Sequence, residues 1–120
     1  MKNQSFVRRL GFALAGVAAA IRAERSFRFH VLAAVAVLAV LCWLRPAPIW
    51  WAVIVLTTAL VLAAELVNTA LEALADHLHP DEHPRIKIVK DCAAAAVLVA
   101  AVGALAVAAA FVYALVTTGA

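Results

Sequence analysis

Five polar residues, Glu65, Asn68, Thr69, Glu72 and Asp76, interrupt a stretch of chain that is otherwise apolar. Counted from Glu65 they fall at offsets of 3, 4, 7 and 11. On a helix turning about 100° per residue, these offsets gather all five into one sector roughly 100° wide. The other side carries Leu66, Val67, Ala70, Leu71 and Leu74. Carboxylates near hydrocarbon cost on the order of 2–3 kcal/mol each to insert, and three aligned on one face repel one another. Such a stripe calls for cations, either bound metal or nearby basic side chains. Mg²⁺ prefers a few carboxylate oxygens together with substrate phosphates. Phosphoryl transfer needs metal-held phosphates, positioning, and a group that orients the attacking hydroxyl. A water-facing stripe neutralised by Arg is the simpler alternative.

Two further groups belong with the stripe. Glu24, Arg25, Arg28 and His30 precede an apolar run. Glu24 and Arg28 stand four apart, the spacing of a surface ion pair on a helix. The functional reading brings Glu24 to the membrane level of Glu72. The segment from His77 to Asp91 contains Asp81, Glu82, His83, Lys90 and Asp91. Between Asp76 and Asp91 fall four of the seven acidic residues and three of the four histidines. The histidine spacing matches no closed zinc site. Lys90 and Asp91 stand at the expected start of a helix, where they serve as a snorkelling anchor and a cap, or as a clamp on phosphate. No P-loop, kinase-type glycine loop or nucleophile elbow is present.

The elements that position these groups follow from composition. The chain has 120 residues, room for one domain, and is 68% hydrophobic with only 14% charged residues. Its mean hydropathy is +1.03. A soluble domain of this size cannot hide so much apolar surface, so lipid is its solvent. The net charge of +3 is too sparse for nucleic acid as a partner. Cys42 and Cys92 make neither a disulfide framework nor a metal spacing. The first apolar stretch, Leu10 to Ile21, is Ala-rich and lacks the features of a signal peptide.

The expected architecture is all-α and polytopic. Spacing predicts an amphipathic interfacial helix over residues 5–23, with Phe6, Leu10, Ala13, Leu14, Val17 and Ile21 on one side. Spanning helices follow over 28–45, 49–75 and 91–117, and residues 76–90 form a loop. Lys2, Arg8, Arg9, Arg22, Arg25 and Arg28 before the first span, with Arg85, Lys87 and Lys90 between the second and third, place the N-terminus and that loop in the cytoplasm. Trp43, Trp50, Trp51 and Tyr113 mark the opposite interface.

Residues Glu65 to Asp76, Glu-Leu-Val-Asn-Thr-Ala-Leu-Glu-Ala-Leu-Ala-Asp, resemble the signature of the prokaryotic diacylglycerol kinase family, E-x-[apolar]-N-[ST]-A-[apolar]-E-x-x-V-D. Ala75 departs from the usual Val at a packing position. Glu24 with Phe27-Arg28, and Lys90-Asp91 before an Ala-rich helix, match as well, so the resemblance runs along nearly the whole chain. It implies a homotrimer in the bacterial cytoplasmic membrane, with active sites shared between subunits at the cytoplasmic boundary. It implies ATP as co-substrate and Mg²⁺ as cofactor. It makes Glu65 the proton acceptor from the lipid hydroxyl, with Asn68 supporting it. Glu24 and Glu72 become the carboxylates that hold metal on ATP. Asp81, Glu82, His83, Lys90 and Asp91 become nucleotide contacts, and Arg28, Thr69 and Asp76 support the site and the lipid. Ser5 stands where some members carry an Arg that meets ATP, with Arg8 and Arg9 one turn later.

The acceptor that this resemblance implies is diacylglycerol, giving phosphatidic acid. Undecaprenol is the second expectation, because Arg28-Phe29-His30 and the segment His83 to Asp91 look like that branch of the family. A small transporter or assembly protein is the reading from another class. Proton-relay acids belong near the bilayer centre, whereas this stripe gathers toward one end of its helix.

Overall fold

A computed structural model describes residues 3–120 as four helices, α1 (Phe6–Ala23), α2 (Arg25–Leu44), α3 (Pro48–Leu78) and α4 (Pro84–Thr118). The all-α, polytopic class expected from the sequence is what the structure has. The last three helices are each long and apolar enough to cross a membrane, with hydropathies of 2.2, 2.1 and 2.6. Lys2, one of the residues used for orientation, lies outside the described residues.

Local chemistry sets the helix ends. Ser5 caps α1 by accepting a bond from the Arg8 N–H at 3.3 Å. That capping role occupies the position where an arginine was the family's alternative. Glu24 is the break between α1 and α2, with φ −116° and ψ 113°, and its N–H still reaches the Ala20 carbonyl at 2.9 Å. α2 stops at Leu44 because Pro46 lacks an N–H; Arg45 turns left-handed at φ 50° to end it. Pro48 and Pro84 occupy the first turns of α3 and α4, where a missing N–H costs nothing.

The connection between α3 and α4 is shorter than the sequence suggests. Residues 76–90 were expected as a loop, but α3 continues to Leu78 and α4 begins at Pro84, leaving only residues 79–83 between them. Apolar length alone does not mark where a helix ends, and both helices keep their backbone hydrogen bonding through polar residues. Lys90 and Asp91 consequently lie in the second turn of α4, and the N-cap is His83, not Asp91.

α3 packs most extensively on α4, then on α2, and α1 touches both α2 and α3. A small core of Leu41, Ile54 and Phe111, flanked by Val37, Trp50, Trp51 and Val107, ties the three long helices together. Trp50 and Phe111 stack at a tilt with centroids 5.2 Å apart. Most other large apolar side chains face outward, including Leu32, Leu56, Leu98 and Leu105. Such a surface is matched to lipid or to further copies of the chain.

Candidate active site

The polar stripe is built as spacing predicts, on one uninterrupted helix, α3. Its surroundings change along its length. Glu65 is buried, Asn68, Thr69 and Glu72 are half-buried, and Asp76 is exposed. The stripe therefore climbs from packed apolar surface into water, and its two ends meet different helices.

Glu65 is the only buried polar or charged residue among the described residues, at 4% exposure. It faces α2. The Ser26 hydroxyl donates to Glu65 Oε1 at 2.8 Å. His30 Nδ1 lies 2.8 Å from the same oxygen, but without hydrogen-bond alignment. Ser26 and His30 are four residues apart on α2, so they share a face one turn from each other. One turn along α3, Asn68 Oδ1 is buried and has no hydrogen-bond partner. A buried acceptor left in that state costs about 1–3 kcal/mol, so this face of α3 suits a polar ligand that brings a donor.

Asp76, at the other end, pairs with Lys90 of α4. This brings Lys90 to the stripe as the sequence suggested. Asp91 goes elsewhere: it takes the Lys87 ammonium at 2.6 Å in an exposed i,i+4 pair. Asp81, Glu82, His83 and Lys90 all line one open cavity of about 600 Å³ at the α3–α4 turn. His83 is partly committed there, since its Nδ1 accepts from the Arg85 N–H at 3.1 Å and so caps α4. His79 Nδ1 contacts the Asp81 carbonyl at 2.8 Å, and the His79 and His83 rings meet edge to face.

Glu24 and Glu72 take no part in any ion pair among the described residues. The i,i+4 ion pair that the spacing of Glu24 and Arg28 allows does not form. Arg28 Nη1 donates instead to the Ile21 and Arg22 carbonyls at 2.7 and 3.1 Å. It caps the end of α1, where the helix dipole favours a cation, and this leaves Glu24 without a basic partner. Among the described residues no three or more His, Cys, Asp or Glu side chains gather closely enough to hold a metal alone. Glu24 has no basic partner among the described residues and Glu72 feels only the through-space charge of Lys90, and such carboxylates have the hard oxygen chemistry of a Mg²⁺ site whose remaining ligands are phosphates.

An apolar groove of about 570 Å³ opens between α2, α3 and α4, with His30, the neighbour of Glu65, on its wall. Ala34, Val37, Val61, Leu62 and Ala104 line it, and His30 is the one ionisable side chain on its wall. Ser26 and His30 as partners of Glu65 were not foreseen from the sequence. Their four-residue spacing was legible; which side of α2 would meet α3 was not.

The chain matches the prokaryotic diacylglycerol kinase family model over residues 11–112. It is 45% identical over 94 residues to a diacylglycerol kinase of Synechocystis, covering 78% of this chain and 54% of that relative. The chain thus spans about half the length of that relative. It is 40% identical over 87 residues to the undecaprenol kinase of Bacillus subtilis, covering 72% of this chain and 71% of the relative. It is 36% identical over 103 residues to a diacylglycerol kinase of Pseudomonas aeruginosa, covering 82% and 84%. With the family model covering most of its length, and the signature stripe intact on α3, the chain belongs to the prokaryotic diacylglycerol kinase family.

Proposed function

We propose that this multi-pass membrane protein transfers the γ-phosphate of Mg-ATP to the hydroxyl of a membrane lipid alcohol, with diacylglycerol as the acceptor and phosphatidic acid as the product. The observation that carries this reading is the buried carboxylate of Glu65, which meets His30 on the wall of an apolar groove and stands at the buried end of a stripe that becomes exposed at Asp76. A lipid hydroxyl arrives from the apolar side and ATP from the aqueous side. The stripe spans the boundary between them.

In this reading Glu65 accepts the proton of the attacking hydroxyl, and Asn68 contributes its unpartnered oxygen to the same face. Thr69 supports the stripe between them. Glu24 and Glu72 hold Mg²⁺, which neutralises charge on the phosphates when bound. Lys90, tethered by Asp76, meets the phosphates from α4. Asp81, Glu82 and His83 contact the nucleotide from the α3–α4 turn, and Asp91 acts through its pair with Lys87. Arg28 supports the site at one remove, by fixing the elbow that presents Glu24. The N-terminus and the α3–α4 turn face the cytoplasm of a bacterial cell, where ATP is found. The outward apolar surface suits a homotrimer with sites completed between subunits.

Undecaprenol is the second acceptor, favoured specifically by the similarity to the Bacillus subtilis undecaprenol kinase. Purified protein in mixed micelles with labelled ATP and Mg²⁺, offered each lipid separately, decides between them. The reading expects label in phosphatidic acid at a kcat/KM at least about tenfold above that for undecaprenol. The reverse preference reassigns the acceptor, and label in neither lipid removes the proposal.

A further inference from the structure

We infer that Ser26 and His30 are positioning residues that clamp Oε1 of Glu65 and thereby make Oε2 the proton-accepting atom; this rests on the reading of Glu65 as the base. The terminal torsion of a glutamate is soft, with a broad two-fold distribution. An unrestrained carboxylate therefore presents either oxygen, and in varying orientation. Here both contacts of the carboxylate fall on the same atom. Ser26 donates to Oε1 at 2.8 Å, and His30 Nδ1 stands 2.8 Å from Oε1. No hydrogen bond among the described residues ends on Oε2, and Oε2 is not among the buried atoms left without a partner. It is the oxygen left without a protein partner.

The two contacts differ in kind. Ser26 makes an aligned hydrogen bond. His30 Nδ1 is close but off-axis, and makes no other bond. Contacts at catalytic groups are often poorly aligned without substrate and tighten in the reacting complex. A small rotation of the His30 ring turns this contact into a second donation to Oε1. The His30 side chain is 25% exposed and lines the apolar groove, so it has room to turn. Because residues 26 and 30 share one face of α2, the helix itself sets the spacing of the clamp.

The step balances without any further reactant. Oε2 takes the proton of the lipid hydroxyl as that oxygen forms its bond to the γ-phosphorus. The bond from phosphorus to the β–γ bridging oxygen breaks, and ADP leaves with the electron pair. Glu65 ends protonated on Oε2 and returns the proton to water before the next turnover.

The test compares Ser26→Ala, His30→Leu and His30→Asn with wild-type protein in mixed micelles with Mg-ATP and diacylglycerol. The Asn amide nitrogen stands in for Nδ1 as a donor, whereas Leu keeps bulk alone. Misplacing a reacting group costs up to about a hundredfold. Ser26→Ala and His30→Leu are each expected to lower kcat by about tenfold or more, with KM for ATP and lipid within about twofold. His30→Asn is expected to recover to within about threefold of wild type. A wild-type kcat in both Ser26→Ala and His30→Leu overturns the clamp while leaving the base in place. So does a change in KM alone, or a loss that His30→Asn does not repair. If wild-type protein transfers phosphate to no lipid alcohol, the reading of Glu65 falls first and the clamp with it. Ser26 is exposed and belongs to no apolar core cluster, and a thermal melt beside the assay shows that its truncation leaves the protein folded.

Discussion

Glu65→Gln separates chemistry from architecture at the centre of the stripe. The substitution keeps the volume of a side chain that is only 4% exposed, so it opens no cavity. The amide oxygen still accepts the Ser26 bond that now measures 2.8 Å. Replacing a buried carboxylate by a neutral amide also removes a desolvation cost. The thermal midpoint should hold or rise slightly. What is lost is basicity. General base catalysis contributes roughly 10²–10⁴-fold, which corresponds to about 3–5 kcal/mol in the barrier. The assay is initial-rate transfer of labelled phosphate into chloroform-soluble product, at saturating ATP and lipid, beside a thermal melt of the same sample. The account expects kcat to fall by at least about a hundredfold with the midpoint preserved. A kcat within tenfold of wild type refutes the role of Glu65, because no other buried carboxylate among the described residues could replace it.

Glu72→Gln should raise the Mg²⁺ concentration needed for half-maximal rate by about tenfold or more; an unchanged Mg²⁺ titration counts against a metal role. Lys90→Met should raise KM for ATP severalfold while altering stability by less than about 1 kcal/mol, since its pair with Asp76 is a surface one; an unaffected KM removes Lys90 from the phosphate site. Phe27→Ala should cost about 3–5 kcal/mol, because Phe27, near the start of α2, is 2% exposed. A denaturation midpoint equal to wild type in the same detergent would show that this contact is not structural.

The stripe was legible because a 3.6-residue period survives any packing, and Glu65, Glu72 and Asp76 needed only one helix to align. The three apolar helices were legible because lipid offers the backbone N–H and C=O groups of an apolar segment no partners, and a helix satisfies them internally. The α3–α4 turn is shorter than the polar segment suggests, since the passage from apolar to polar at Asp76 does not end backbone hydrogen bonding. Pro84 after His83 carried the true signal for the start of α4. The contacts of Arg28 were not legible, because sequence spacing does not reveal that the chain breaks at Glu24 and exposes the α1 carbonyls. The contacts of Ser26 and His30 with Glu65 depend on how α2 is rotated against α3, and no property of either helix alone determines that rotation.

The measurement closest to the central claim is transfer itself: purified protein, labelled ATP and diacylglycerol in mixed micelles, with and without Mg²⁺. The account predicts Mg²⁺-dependent label in phosphatidic acid from wild-type protein and at least about a hundredfold less from Glu65→Gln. Label confined to inorganic phosphate, or equal label in lipid from both proteins, would contradict it.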